Sequence, residues 1–219
     1  MRLGILGGTF DPIHLGHLRL AEEVGEELNL EKVYLIPAAA PPHKERRPIT
    51  PFFHRLKMIQ LAVKESPILE ALDLEGRRQG LSYSIETLQQ FHQLFKSELD
   101  LHFILGMDAF REIETWKDYR RLFDYAHFVV IQRPGVSSGD LRPFLQSLGL
   151  DLEEKVEGDV FVFPSGRLLI YMEATLMDIS STVIREKAAV GKSIRFLVPD
   201  AVRSYIIENG LLEVHGGSC

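Results

Sequence analysis

MRLGILGGTFDPIHLGH, residues 1–17, is the stretch from which the fold can be read. Leu3, Ile5 and Leu6, interleaved with Gly4, form a short apolar run that stops at Gly7-Gly8, the pattern of a buried parallel strand. Thr9, Phe10, Asp11 and Pro12 turn the chain, and from Ile13 onward Leu15, Leu18, Leu20, Ala21 and Val24 follow helical spacing. Glycines at a strand's end let backbone approach a ligand with no side chain between. The start of the next helix brings unpaired N–H groups and the positive end of its dipole to the same place, which suits an anion. His14 and His17, three apart in the expected first turn, project from one face beside it. A glycine pair alone would mean only a tight strand-to-helix turn, and paired histidines alone could ligate metal. No cysteine is near and no third ligand has zinc spacing, so the combination points to phosphate and no protein metal site is expected.

The bounds around this stretch are those of an ordinary soluble α/β protein. The chain has 219 residues, 45% hydrophobic and 26% charged, enough for one domain with a sizeable core. A net charge of −6 argues against a general nucleic-acid binder, which needs a basic surface. The lone cysteine, Cys219, excludes a disulfide framework within the chain. No signal-peptide core or membrane span is read, and a cytoplasmic setting is expected.

Downstream the alternation continues. Lys32–Pro37 reads as a second strand, 38–51 as a proline-rich basic loop, and Thr50-Pro51 as the start of a helix whose period runs from Arg55 to Val63. Strands are expected at Ile68–Leu74, Leu101–Leu105 and Ala126–Ile131, with a helix from Ile85 to Phe95. Strand and helix repeat about five times, so the sheet should be doubly wound and mostly parallel, with its ligand crevice at the Gly7 and Gly106 strand ends. Val160–Phe163 and Leu168–Met172 flank a turn at Pro164-Ser165-Gly166. Short helices close the chain, one capped among Ser180, Ser181 and Thr182, the other starting at Asp200. Dinucleotide (GxGxxG) and P-loop patterns are absent.

Five segments carry a resemblance: Gly7–His17; Pro37–Lys44 with its PPHK; Ser82–Leu88 (SYSIETL); Gly106-Met107-Asp108 with Trp116; and Ile179–Arg185 (ISSTVIR). In this order they resemble the HxGH nucleotidyltransferases, and specifically the bacterial nicotinate-nucleotide adenylyltransferases. Ser84 stands where that family usually has threonine, and Glu86 where aspartate is common. The resemblance implies a Rossmann-like nucleotidyltransferase fold with a small C-terminal helical part, one domain over 1–219, and a family-variable insertion with a hairpin at 136–174. It also implies transfer of AMP from ATP to nicotinate mononucleotide, with Mg²⁺ accompanying the ATP. His14, His17, Lys44 and Arg185 would be catalytic, and Gly7, Gly8, Thr9, Phe10, Ile179, Ser180 and Ser181 would bind ATP. Ser84, Gly106, Asp108, Trp116 and Lys117 would bind the nicotinate nucleotide, Ser84 and Lys117 through backbone N–H groups and Trp116 by stacking on the pyridine ring.

A phosphate nucleophile is already largely ionised at neutral pH, its second pKa lying near 6, so no general base is expected. Catalysis would rest on positioning and on charge stabilisation. The alternatives are a related enzyme acting on nicotinamide mononucleotide, phosphopantetheine or a cytidylyl acceptor, a non-catalytic nucleotide sensor, and a class I synthetase-like core. Oligomeric state is not readable from the sequence.

Overall fold

The computed structural model describes residues 1–41, 48–78, 80–95, 99–132, 141–150, 153–156, 160–175 and 177–212. The chain runs β1 (Arg2–Gly8), α1 (Leu15–Glu27), β2 (Lys32–Pro37), α2 (Phe52–Ala62), β3 (Leu69–Ala71), α3 (Ser84–Phe95), β4 (Asp100–Gly106) and α4 (Met107–Arg111). It continues through α5 (Tyr119–Tyr125), β5 (His127–Gln132), α6 (Leu141–Ser147), β6 (Glu153–Val156), β7 (Val160–Val162), β8 (Leu168–Glu173), α7 (Ser181–Ala189) and α8 (Asp200–Glu208). The strands form one eight-stranded sheet in the order β3-β2-β1-β4-β5-β8-β7-β6. Neighbours from β3 through β8 are parallel, while the β8–β7 and β7–β6 pairings are antiparallel, so β7 alone runs against the other strands. The winding reverses between β1 and β4, so the crevice expected beside Gly7-Gly8 and Gly106 lies at the switch point of a doubly wound sheet.

Strand alternation assigns side chains to two cores. Leu3, Ile5, Leu101, Phe103, Phe128 and Val130 pack under α3, α4 and α5, while Leu6, Val33, Leu35, Ile104, Val129 and Ile131 pack against α1, α2, α7 and α8. Gly4 is required by that packing, because a Cβ there would lie 2.9 Å from Leu30 Cδ1.

The elements depart from expectation in three places. β3 spans only Leu69–Ala71, because this edge strand pairs with β2 alone and the chain bends away at 74–78. β6 was not foreseen, since EEKV has no alternating apolar pattern. His14 does not lie within the first helical turn but precedes it as the N-cap, with extended backbone at φ −146° and ψ 170°. Residues 136–140, 151–152 and 157–159 of the 136–174 stretch, and residues 213–219, lie outside the described residues.

Candidate active site

The β1–α1 junction is built by histidines that cap the helix and each other. His14 Nδ1 accepts from the His17 N–H and His17 Nδ1 accepts from the His14 N–H, each at 3.3 Å. The arrangement is a capping box in which imidazoles take the usual places of serine and glutamate. It stacks the two rings with centroids 3.6 Å apart and planes 23° from parallel. With both Nδ1 lone pairs occupied, the neutral tautomer of each ring carries its hydrogen on Nε2. Burial lowers His14 from the ordinary imidazole value to about 4. Burial, then the neighbouring His14, lowers His17 to about 3. Both rings are therefore neutral N–H donors at pH 7.

Gly7 is exposed at the end of β1, where a Cβ would project into open space. Gly8 sits against the Phe10 ring, and its carbonyl accepts from Ala38 N–H at 2.9 Å. Phe10 takes a left-handed conformation (φ 49°) that turns its buried ring edge-on to His17 at 5.0 Å. The helix start offers fewer N–H groups than the sequence suggested. Leu15 N–H donates to Leu197 O at 3.0 Å and His17 N–H is taken by His14, which leaves Gly16 N–H without an acceptor among the described residues.

The distant ISSTVIR segment is brought to this junction. Ser180 caps α7 by accepting from Val183 N–H, and the Ser181 hydroxyl donates to Pro12 O at 2.9 Å. Arg185 reaches back to the β1–α1 turn, donating from Nη1 to Asp11 O at 2.7 Å and from Nη2 to Thr182 Oγ1 at 3.0 Å. Ile179 packs with the core shared by α1 and α2. The Arg185 guanidinium is therefore anchored on the β1–α1 turn that leads into His14 and His17.

On the other side of the switch point, three predicted segments are tied together. The Ser82 hydroxyl accepts from Ala39 and Ala40 N–H at 2.9 and 3.1 Å, joining the loop after β2 to the approach to α3. Lys117 Nζ donates to Glu86 Oε1 at 2.7 Å and lies 4.5 Å above the Tyr83 ring. Ser84 opens α3, and neither its N–H nor that of Lys117 has an acceptor among the described residues. Trp116 is half-buried, edge-to-face with Phe103 at 6.2 Å. Gly106 ends β4 in the open and Asp108 stands exposed in the first turn of α4. Lys44 lies outside the described residues.

One supporting residue escaped the sequence reading. Arg55 is 2% exposed and donates to Thr9 O at 2.7 Å and Thr50 O at 2.8 Å, so α2 fixes the glycine-rich turn from below. Its signal was an arginine at an apolar position of a helical period, a costly placement unless the charge is in use. Among the described residues no cluster of three or more His, Cys, Asp or Glu could hold a metal ion, and no helix is long and apolar enough to cross a membrane. The donors gathered here, neutral imidazoles, helix-start amides and a guanidinium, suit phosphate oxygens.

Comparison with known proteins agrees with that chemistry. Residues 5–187 match the cytidylyltransferase-like family model. A protein of Syntrophotalea carbinolica named "Probable nicotinate-nucleotide adenylyltransferase" is 44% identical over 215 residues, covering 96% of this chain and 97% of its own. A protein of Desulfatibacillum aliphaticivorans with the same name is 44% identical over 219 residues, covering 96% and 99%. The solved nicotinic acid mononucleotide adenylyltransferase of Plasmodium falciparum, complexed with NaAD, superposes with a TM-score of 0.71 at 18% identity over 96% of this chain and 97% of that one, a likeness of fold.

Proposed function

Because this chain belongs to the nicotinate-nucleotide adenylyltransferase family, we propose that its crevice joins two nucleotides at the β1–β4 switch point. The protein transfers AMP from ATP to nicotinate mononucleotide, forming nicotinate adenine dinucleotide and pyrophosphate in NAD biosynthesis. A 5′-phosphate oxygen of the acceptor forms the new bond to the α-phosphorus as the bond to the β-phosphate oxygen breaks. The acceptor phosphate is a near-complete dianion at neutral pH, so no protein base is required.

The observation that best supports this assignment of roles is the mutual capping of His14 and His17 beside an Arg185 guanidinium held on Asp11 O. As neutral Nε2–H donors, the imidazoles stabilise charge on the equatorial oxygens of the α-phosphate without themselves changing protonation. Arg185 supplies fixed positive charge there, and Lys44 supplies it from the loop after β2. Gly7, Gly8, Thr9 and Phe10 form the backbone wall of the ATP site, and Ile179, Ser180 and Ser181 line its far side.

The acceptor lies across the crevice. The Ser84 and Lys117 amides take the pyridine carboxylate, Trp116 stacks on the ring, and Gly106 with Asp108 meets the ribose. Mg²⁺ would accompany ATP, carried by the nucleotide's own phosphates rather than by protein side chains, and would supply charge neutralisation for the departing pyrophosphate. The surrounding donor set is cationic and N–H-rich, which fits an ion carried by phosphates better than one held by a carboxylate cage. We read 1–219 as one nucleotidyltransferase unit, with 136–174 the portion that varies among relatives and the cytoplasm its working compartment.

Pyrophosphate release from Mg-ATP, measured with nicotinate mononucleotide and with nicotinamide mononucleotide, tests the reading. Faster turnover of the acid is expected. Equal or faster turnover of the amide would move the acceptor assignment, and release with neither would remove it.

A further inference from the structure

The connection from β3 to α3 carries a buried polar cluster that the reaction described above does not use. Thr87, in the first turn of α3, is 2% exposed, and the side chains of Arg78 and Glu75 are 13% and 10% exposed. The Thr87 hydroxyl donates to Glu75 Oε1 at 2.6 Å and accepts from Arg78 Nη2 at 3.0 Å. Glu75 Oε2 and Arg78 Nε and Nη1 are buried with no hydrogen-bond partner among the described residues. A carboxylate and a guanidinium placed this way pay desolvation that their attraction does not fully return, and an apolar trio would hold the fold at least as well. What the cluster adds is position.

The cluster grips a helix start. Glu86 and Thr87 N–H both donate to Tyr83 O, which leaves the amide at the head of α3, Ser84 N–H, presented to the crevice end of the sheet. The Thr87 hydroxyl adds a second, longer contact to the same Tyr83 carbonyl at 3.4 Å. Moving that hydroxyl therefore tilts the turn from which the amide projects. The loop behind it has little slack, since a Cβ on Gly76 would come within 2.2 Å of Phe52 Cε1. Phe52 packs under the Arg55 guanidinium at 5.5 Å, so the loop is referenced to the same helix that holds Thr9.

We propose that Thr87, clamped between Glu75 and Arg78, is a positioning residue that aims the head of α3 at the acid group of the acceptor and so favours acid over amide. The inference rests on the acceptor site proposed above. An N–H donor rewards an anion more than a neutral amide, and the reward falls steeply with angle. Misaiming the helix should therefore penalise nicotinate mononucleotide selectively.

Steady-state kinetics of the full chain with Mg-ATP, nicotinate mononucleotide and nicotinamide mononucleotide test this. Thr87→Val keeps the shape and removes the hydroxyl. It is expected to raise KM for the acid about tenfold, with KM for ATP and for the amide within about twofold, and Thr87→Ser should restore the acid KM. Glu75→Gln, which keeps the volume but not the charge, gives the same split and decides the matter if Thr87→Val does not fold. Equal rises in all three KM values, a fall in Tm with no KM change, or no rescue by serine would each overturn the proposal. A wild type that turns over the acid while the variants show no split sinks this inference alone. A wild type that turns over no acid sinks the acceptor assignment beneath it.

Discussion

Two stacked histidine pairs sit at opposite ends of one sheet. His14 and His17 lie at the carboxyl end of β1, with ring centroids 3.6 Å apart. His102 and His127 lie near the amino ends of β4 and β5, with centroids 4.9 Å apart and planes 25° from parallel. Burial lowers the imidazole pKa in both pairs, to about 4 for His127 as for His14. They differ in what their nitrogens hold, although the second pair also has an unpartnered nitrogen among the described residues, His102 Nδ1, which is buried. His127 Nδ1 accepts from Leu168 N–H at 2.8 Å, and its Nε2 meets Asp100 Oδ1 at 2.9 Å, so one nitrogen ties β5 to β8 and the other ties it to β4. In the first pair only the Nδ1 atoms serve the fold, and no described residue accepts from either Nε2. Burial and ring stacking are common to both. The spare donor at the carboxyl end of a parallel sheet is what marks a site for a ligand.

The sharpest way to break that contrast is to remove one ring from each pair. His17→Ala takes away a proposed transition-state donor and should lower kcat by roughly 10²–10³-fold. It also deletes one cap, costing about 1 kcal/mol and leaving the protein folded. Wild-type turnover in this variant would end the assignment. His127→Ala should do the reverse. It leaves Leu168 N–H and Asp100 without the ring, costing about 2–3 kcal/mol, or roughly 5–10 °C in Tm for a chain of this size, with kcat within about twofold. A large loss of turnover in His127→Ala would mean that the two pairs are not separate in function.

Acid distinguishes the pairs less strongly. A histidine whose folded pKa is depressed below its unfolded value of about 6.5 binds fewer protons when folded. Stability is then greatest above that value and falls as pH drops from 6.5 towards the folded values near 4. Tm should decline through this window, and the decline should be shallower in His127→Gln than in wild type. The acid limb of kcat/KM should instead follow the acceptor phosphate, near pH 6, because His14 and His17 stay neutral well below it. A His127→Gln decline as steep as wild type would show that this pair is not where acid acts.

The pairs were not equally legible. His14 and His17 are three apart in one segment, next to glycines that announce a strand end, so their proximity could be read directly. Their mutual capping could not, because histidine is not among the usual N-cap residues. It also could not be foreseen that Leu197, from far along the chain, would take the first amide of α1. His102 and His127 belong to different strands and meet only through sheet register, with His102 opposite His127 in the β4–β5 ladder. The same limit hid Arg55, Glu75, Arg78 and Thr87. Each sits in a pattern that reads as ordinary helix or polar loop, and only the packing shows that their charges and hydroxyls are enclosed. The strands β2, β4 and β5 were readable because a short continuous apolar run bounded by glycine, proline or charge is too brief for a buried helix and fits a strand covered on both faces.

The smallest expected effect tests whether spacing within the first pair matters. Gly16 lies between the two histidines, where a Cβ would be 3.1 Å from His14 Nδ1 and 3.2 Å from Cε1. His14 cannot simply retreat, since the His17 ring stacks on it with centroids 3.6 Å apart. Gly16→Ala should therefore shift the His14 ring by a few tenths of an ångström. Against that strain, alanine is worth about 0.5–1 kcal/mol over glycine inside a helix. The two terms nearly offset, so Tm should stay within about 3 °C of wild type. Turnover has no such compensation, because a donor misplaced by this much loses part of its advantage in the transition state, and kcat should fall about fivefold. Unchanged kcat at unchanged Tm would show that the crevice tolerates a displaced imidazole, and the pair would then owe its role to its place at the strand end rather than to the geometry of its rings.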